Sequence, residues 1–208
     1  FFSAYADMAE RGWAGDIDLT VFLGDYIYEY GAEPDDYGMM NGARLNRTPQ
    51  PPHEIVSLAD YRTRHAQYKS DPDLQAAHAR AAFICVWDDH EVTNDTWASG
   101  AENHQPATEG DFAVRKAAAL RAYYEWMPIR EPRAGGLKEA INRSFHFGDL
   151  ASLIMSRRVC WRATSSWISP ICRARRRARR TSPPLRPCAT QTIATCWATS
   201  SAAGSAGN

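Results

Sequence analysis

Two short apolar segments that run directly into acidic residues constrain this chain more than any other feature. The segment Asp16–Asp25 reads DIDLTVFLGD, and Ala81–Trp87 reads AAFICVW and is followed by DDHE. Both segments are short and rich in β-branched and aromatic residues, and both are bounded by turn residues. This pattern predicts two buried strands of an α/β sheet.

The acidic residues follow the predicted strands at their carboxyl ends. In α/β sheets, ligands gather at this edge, so neighbouring strands would bring Asp25, Asp89 and His90 together. Clustered carboxylates stay ionised together only where a cation neutralises them. We therefore predict a metal site here. Carboxylate oxygens suit Ca²⁺, Mg²⁺ or Mn²⁺, and the phenolate of nearby Tyr28 would suit Fe³⁺.

A second interpretation of the same acidic residues is structural. Aspartates that follow strands often cap helices or form turns, so DDHE could be a solvated turn. Either segment alone leaves the two interpretations open. The matched layout of both segments favours the metal site.

The remaining elements alternate with the two strands and predict an α/β sandwich. Residues 31–56 are rich in Gly, Pro and Asn and predict a long loop. The other predicted elements are a helix over Ala4–Arg11, a helix from the capping-box residue Ser57 to about Ser70, a helix capped by Asp71, a long helix within Thr108–Met127, and a hairpin over Phe145–Met155.

Several other side chains of chemical interest are interpreted as structural. On the helix after Ser57, a solvated face is predicted for Arg62, Arg64 and Lys69. Core positions are predicted for Tyr123, Tyr124 and Trp126. No role is assigned to His53, His65, His78 and His104, and His146 is interpreted as a strand-face residue.

The zero net charge of the chain conceals two unlike parts. All 24 acidic residues lie at or before Asp149, whereas ten of the 24 basic residues lie after Met155, and all ten are Arg. Four of the five cysteines also fall after Met155. We therefore predict a domain over residues 1–155 and a separate tail over residues 156–208.

Three interpretations of the tail compete. It could be an Arg-rich segment that binds nucleic acid. It could be a Cys-rich metal or disulfide module, although its cysteine spacings match no common zinc pattern. It could also be GC-rich DNA translated in the wrong frame, which yields Arg, Ala, Ser, Pro, Cys and Trp. Because a shifted frame can encode leucines at helical spacing with carboxylates, we favour a frameshift near Met155 to Arg158 and a non-native, disordered tail.

The ends and hydropathy of the chain give few further clues. No apolar run reaches the roughly 18 residues that a membrane helix needs, so no membrane partner is predicted. No signal peptide is recognisable. The chain begins at Phe1 rather than Met, and we expect that the natural start lies upstream.

Four motifs resemble the PhoD-like alkaline phosphatase family. They occur in the family's order as GDYIYEYG, LADYRTRHAQYKSDPDLQAAHA, WDDHEVTNDTW and RKAAALRAYYEWMPIRE. The resemblance covers residue 1 to about residue 155 and is specific when the motifs are taken together. Strings from the shifted frame of the tail also resemble the family's next segments, which supports the frameshift.

The resemblance implies a fold, an activity and cofactors. The fold would be a metallophosphoesterase-like double-sheet sandwich flanked by helices, incomplete in this chain. The activity would be hydrolysis of phosphate monoesters and diesters with Ca²⁺ and Fe³⁺ at one site. Members of the family are usually exported, so the resemblance also implies an exported protein.

The resemblance also implies roles for individual residues. Asp25 would bridge metals, Tyr28 would bind iron, Asp89 and Asn94 would be calcium-side ligands, and His90 would orient the phosphate or its leaving group. The family's Cys ligand would lie upstream of Phe1, and its later His and acidic ligands would lie beyond the frameshift. We therefore expect part of a metal site and little activity from the chain as written.

Two rival functions remain open. One is a protein without enzymatic activity that binds nucleic acid through the Arg-rich tail; unless that tail is genuine, no nucleic-acid partner is expected. The other is a structural remnant that binds metal without turnover.

Overall fold

The acidic segments follow two strands that pair in parallel in this computed structural model, which describes residues 3–134, 136 and 138–156. Strand β1 (Leu19–Phe22) pairs with β2 (Ala82–Cys85), and Phe22 lies opposite Cys85. Both strands therefore end at the same edge, as predicted. They are shorter than predicted because the chain turns sharply after Leu23 and leaves the ladder after Val86.

The predicted tail over residues 156–208 lies outside the described residues, apart from Ser156. The frameshift, the disorder and the nucleic-acid alternative that we assign to this tail accordingly stay predictions.

Four of the helices pack in pairs. Helix α1 (Ser3–Ala14) contacts α4 (Pro72–Arg80), and α3 (Leu58–Lys69) contacts α6 (Phe112–Trp126). The α1 helix extends beyond the predicted Ala4–Arg11 at both ends. Because residues on one face of each helix bury apolar surface against its partner, this packing stabilises helices that would be marginal alone.

Local capping signals fix the starts of α3 and α4 as predicted. The Ser57 hydroxyl accepts a hydrogen bond from the backbone of Asp60 at 3.2 Å, and the Asp60 carboxylate accepts one from the backbone of Ser57 at 2.8 Å. Asp71 caps α4 through the backbone N–H groups of Asp73 and Leu74, and Pro72 occupies the first helical position. These bonds satisfy donors that a helix start leaves unpaired.

The long helix predicted within Thr108–Met127 is confirmed as α6, but it begins at Phe112 because the chain breaks before it. A short helix α5 (Pro106–Glu109) ends at Gly110, whose φ is 82°. Asp111 then caps α6 by accepting a hydrogen bond from the backbone of Ala113 at 2.8 Å. Glycine adopts this left-handed conformation at little cost, and aspartate is a favoured N-cap, so the two residues together start a new helix.

The remaining strands form small antiparallel pairs. The predicted hairpin is confirmed, with Phe145 opposite Leu153. The other short elements are α2 (Met39–Gly42), β3 (Thr96–Trp97), β4 (Gly100–Ala101), β5 (Arg143–Phe147) and β6 (Ala151–Met155). Within the described residues, the strands form three two-stranded sheets. The class is α/β, and the double-sheet sandwich stays a prediction.

An aromatic core lies between α3, α6 and the segment after β2. Trp87 is fully buried and meets the ring of Tyr123 edge to face at 5.3 Å. Tyr123 and Tyr124 are buried, as predicted, and Trp126 is half-buried. Edge-to-face rings of this kind contribute about 0.5–1.5 kcal/mol beyond the area that they bury.

The predicted solvated face of α3 is correct for Arg62 and wrong for Arg64. Arg62 forms a partly exposed ion pair with Glu125. Arg64 is 1% exposed, and its guanidinium donates to the backbone carbonyls of Gln50, Pro51 and Tyr28. A guanidinium carries five donors and so satisfies several loop carbonyls at once. Lys69 is half-buried, with its ammonium over the ring of Tyr26.

None of the helices in the described ranges is both long and apolar enough to cross a bilayer.

Candidate metal centre

Three predicted site residues converge beyond the ends of β1 and β2. Asp25, Asp89 and His90 each offer one ligand atom, and these atoms lie within 4.8 Å of one another. All three residues are half-buried. The convergence follows from the parallel pairing, because each strand delivers its acidic loop to the same edge of the sheet.

Gly24 allows the two loops to approach each other. Its φ is 109°, and that of Asp25 is 55°, so two successive residues with positive φ turn the chain away from β1. A Cβ atom at Gly24 would lie 2.6 Å from the Cβ of Asp88 and would also meet its backbone nitrogen. Only glycine fits both the conformation and the space, which explains the Gly-Asp order of the sequence.

Glu91 ties the same two loops together through their backbones. Its carboxylate accepts hydrogen bonds from the backbone nitrogens of Tyr26 and Asp88, the latter at 2.8 Å. Glu91 is 1% exposed, and burial raises its pKa to about 8, against the lowering effect of these donors. Sequence reasoning gave Glu91 no role of its own. The available signal was its position three residues after Asp88. At this spacing a carboxylate can reach back to a backbone donor.

Glu29 lies directly behind His90 and was missed by sequence reasoning. This carboxylate is fully buried and accepts from His90 Nδ1 at 2.7 Å. It also accepts from the backbone of Asn94 at 2.8 Å and from the side-chain amide of Asn103 at 2.9 Å, and the Thr93 hydroxyl, which donates to the Asn103 carbonyl at 2.6 Å, lies 3.2 Å away. Three donors satisfy a charge that would otherwise be costly to bury.

The contact with Glu29 fixes the orientation and charge of His90. Burial lowers the pKa of His90, but the hydrogen bond and charge of Glu29 outweigh it and raise the pKa to about 9. Burial likewise raises the pKa of Glu29, and the proton donated by His90 lowers it below its usual value. Because a carboxylate only accepts, Nδ1 carries the proton, and Nε2 is the ring atom left for a ligand.

Asp25 has an oxygen that lacks a hydrogen-bond partner among the described residues. This atom, Oδ1, is buried, whereas Oδ2 lies 3.4 Å from the Tyr28 hydroxyl. Burial raises the pKa of Asp25; His90 opposes this effect, and the charge of Asp89 adds to it. A buried carboxylate oxygen without a donor, beside a second carboxylate, fits a cation ligand.

The predicted iron ligand Tyr28 lies against the cluster. Its ring centroid is 4.4 Å from that of His90, and its hydroxyl donates to Asp25. Burial raises the pKa of Tyr28, and the charge of Asp25 raises it further. The phenol is therefore neutral in this environment. To bind a metal as a phenolate, Tyr28 needs a strongly charged cation that lowers its pKa.

Asn94 is near the cluster, but its side chain points to a different partner. Its side-chain amide donates to Glu102 at 2.9 Å, while its backbone donates to Glu29. Asp89 accepts from the backbone of Asp95 at 2.6 Å, so one oxygen of this predicted ligand is partly engaged. A calcium-side role for Asn94 stays a prediction.

A buried arginine supports these loops from behind. Arg115 is fully buried and donates to Glu54 at 2.6 Å, to Glu109 at 2.8 Å and to the Tyr61 hydroxyl at 3.1 Å. Glu54 also accepts from Asn103 at 3.3 Å. Because Asn103 in turn holds Glu29, this network connects α6 to the carboxylate behind His90.

Comparisons with known proteins place the chain among its relatives. A profile of the family described as PhoD-like phosphatase matches residues 1–181. Alkaline phosphatase D of Bacillus subtilis (strain 168) is 42% identical over 153 residues, which make up 73% of this chain and 24% of that protein. A solved structure described as "Structure of PhoD" superposes with a TM-score of 0.61 and 41% identity, covering 74% of this chain and 28% of that chain.

The chain thus spans about a quarter of the length of these relatives. The family match extends past residue 155, where we place the frameshift, and it includes all five predicted site residues. Sequence identity above 40%, the superposition and the family match lead to one conclusion. This chain belongs to the PhoD-like phosphatase family.

Proposed function

We propose that this chain carries part of the active site of a metal-dependent hydrolase of phosphate monoesters and diesters. The convergence of Asp25, Asp89 and His90 at the strand ends is the observation that carries the proposal. The family match and the relative named alkaline phosphatase D support a phosphate ester as the substrate.

The residues present fit the proposed cations, Ca²⁺ and Fe³⁺. Asp25 has a buried oxygen without a partner among the described residues, and Asp89 adds a second carboxylate within 4.8 Å. Asp25 would serve both ions, Tyr28 would hold the iron, and Asp89 and Asn94 would hold the calcium. When bound, such ions neutralise phosphate oxygens and act as Lewis acids during in-line displacement.

His90 would act on the phosphate through its free ring nitrogen. Glu29 holds Nδ1 at 2.7 Å and raises the pKa of His90 to about 9, so the ring is cationic near neutral pH. A fixed imidazolium can donate a hydrogen bond from Nε2 to a phosphate oxygen or to the leaving-group oxygen. Because the ring is already oriented, this donor needs no reorganisation during the reaction.

Two tyrosines limit the access of water to His90. The ring centroids of Tyr28 and Tyr30 lie 4.4 Å and 5.7 Å from that of His90. Excluding water lowers the local dielectric constant, which strengthens the interaction between the imidazolium and a phosphate.

The test is hydrolysis by the frame-corrected, full-length protein. We expect that protein, supplied with Ca²⁺ and Fe³⁺ at alkaline pH, to release nitrophenol from 4-nitrophenyl phosphate and from bis(4-nitrophenyl) phosphate, and we expect little release from the chain as written. A chelator should abolish release, and Asp89→Asn should lower the rate by at least about tenfold. The matched control is Asp35→Asn, because Asp35 is exposed and lies outside the cluster.

Metal-dependent stability separates the two parts of the proposal. If Ca²⁺ raises the Tm of the chain but not that of Asp89→Asn, while the full-length protein hydrolyses no ester, the metal site stands and the proposed hydrolase activity does not. If Ca²⁺ and Fe³⁺ change neither stability nor turnover, the whole proposal is wrong.

Export is a further part of the proposed function. It rests on the family to which the chain belongs, whose members we expect to be exported. Immunodetection of the natural protein in the periplasmic or extracellular fraction would support export, and its retention in the cytoplasm would contradict it.

A further inference from the structure

A cavity of about 280 Å³ lies beside the candidate metal centre. Its wall includes Tyr28 and Tyr30, which also border His90, and it continues along the loop that carries Tyr37, Met39 and Leu45. The predicted metal ligands account for only one of these residues, Tyr28, so the cavity is a feature separate from the ligand cluster.

Tyr28 connects the cavity to the cluster. Its hydroxyl lies 3.4 Å from Asp25, and its ring centroid lies 4.4 Å from that of His90. The same ring stacks on Tyr37, with centroids 5.0 Å apart and an angle of 20° between the planes. A group attached to a phosphate at His90 would therefore reach the cavity directly.

The two arginines of the cavity wall contact other groups of the protein. Arg64 directs its guanidinium at three backbone carbonyls, and Arg47 lies 3.8 Å from the carboxylate of Asp71. These contacts engage both arginines of the wall. The tyrosine rings are then the groups best suited to bind a ligand, and planar rings stack on tyrosine with a preferred offset geometry.

Tyr37 provides the surface for such a ligand. It is 64% exposed although it stacks on Tyr28, so much of its ring is open. The cavity is also large enough, because an engineered apolar cavity of about 150 Å³ is known to bind benzene. We propose that the cavity binds a planar aromatic substituent of the phosphate ester, stacked on Tyr37. This inference rests on the proposed function and names the substrate class as aryl or heteroaryl esters.

Phosphonates that resist hydrolysis test this inference by binding alone. Isothermal titration of the full chain with Ca²⁺ would compare phenylphosphonate, cyclohexylphosphonate and methylphosphonate. We expect the Kd of phenylphosphonate to be about tenfold lower than that of either other ligand, which corresponds to about 1.4 kcal/mol.

Variants of Tyr37 assign the preference to this ring. Tyr37→Ala should bring the three Kd values within about twofold of one another without changing that of methylphosphonate. Tyr37→Phe should retain the preference, since it keeps the ring. Met40→Ala is the matched control, because Met40 is 82% exposed in α2, which follows Tyr37 closely in the chain, but does not line the cavity.

The possible outcomes distinguish this inference from the proposed function. If methylphosphonate binds as tightly as phenylphosphonate, or if Tyr37→Ala keeps the preference, the inference is wrong and the phosphate site stands. Equal binding of the phenyl and cyclohexyl ligands would also overturn it, because planarity would then be irrelevant. If none of the phosphonates binds, both proposals fail.

Discussion

The Nδ1 atom of His90 lies 2.7 Å from Oε2 of Glu29, a carboxylate that is fully buried. Glu29 is therefore positioned to orient the imidazole, although it belongs to the loop after β1 and His90 to the loop after β2. The contact joins the two loops by a charged hydrogen bond in addition to the backbone bonds that Glu91 accepts. Its removal should affect both stability and ligand binding.

Glu29→Gln should destabilise the protein strongly. The amide keeps the size of the side chain but loses the charge and faces several donors with an NH₂ group. We expect the free energy of unfolding, measured with urea, to fall by about 2–4 kcal/mol. The control Glu33→Gln changes an exposed carboxylate and should stay within about 0.5 kcal/mol. A Glu29→Gln protein as stable as the parent would show that the buried pair does not hold the loops.

Gly24→Ala should separate the two acidic loops. The new methyl group would overlap Asp88, and alanine resists a φ of 109°. We expect a loss of at least about 3 kcal/mol in unfolding free energy, together with loss of Ca²⁺-dependent stabilisation. Thermal unfolding with and without Ca²⁺ would measure both effects.

The control variant Gly15→Ala separates the free-energy cost of a positive φ from the cost of a steric overlap. Gly15 has a φ of 80°, but a Cβ atom there would meet nothing within 4 Å. This control should cost only about 1–2 kcal/mol and should leave the response to Ca²⁺ intact. Equal losses in both variants would contradict the steric argument at Gly24.

The predictable parts of the fold and site depend on local signals. The capping box at Ser57, the cap at Asp71 and the apolar runs of the strands are each visible within a few residues of sequence. The convergence of Asp25 and Asp89 needed only one further assumption, that the two strands are neighbours. Parallel pairing of β1 and β2 satisfies it.

The parts that sequence reasoning missed depend on tertiary contacts. Glu29 contacts donors between 61 and 74 residues away along the chain, and no local pattern indicates such partners. The sequence of α3 is polar and does not indicate that Arg64 is buried. In the structure its guanidinium is enclosed by the loop carbonyls to which it donates. The break at Gly110 did have a local signal, but the apolar spacing of α6 concealed it.

Asp25→Asn should stabilise the protein when divalent cations are absent. The substitution removes one of two neighbouring carboxylates, and asparagine tolerates the φ of 55° that Asp25 adopts. We expect a gain of about 1 kcal/mol in a chelator and a smaller rise of Tm on adding Ca²⁺. Calorimetry in both buffers would measure the difference. A variant that is less stable in chelator would indicate that the Asp25 charge is already compensated by His90.

Tyr28→Phe should abolish the visible absorption band of iron bound at the proposed site. If Tyr28 binds Fe³⁺ as a phenolate, the loaded chain should absorb visible light through charge transfer from tyrosinate to iron. The variant removes only the hydroxyl and should lose this band, whereas Tyr37→Phe should keep it. A band of equal intensity in Tyr28→Phe would assign the iron to a different ligand.

His65→Phe should make the free energy of unfolding less dependent on pH below about 6.5. His65 is fully buried, and neither ring nitrogen has a hydrogen-bond partner in the described part of the chain. Burial lowers its pKa from 6.5 to about 3, and the charge of Lys69 adds to this effect. The unfolded chain therefore binds a proton that the folded chain excludes between these values. The folded state is therefore not penalised for excluding this proton above about pH 6.5. As the pH falls from 6.5 towards 3, the free energy of unfolding decreases.

Phenylalanine keeps the ring that stacks on Trp126 and cannot be protonated. At about pH 7.5 the variant and the parent should differ by no more than about 1 kcal/mol, which serves as the internal reference. At about pH 5 the parent should have lost roughly 2 kcal/mol relative to the variant, since each pH unit contributes about 1.4 kcal/mol. Urea unfolding at both pH values measures this difference. Parallel pH profiles would mean that His65 gains a proton without unfolding, and that its ring nitrogens reach solvent or a partner in solution.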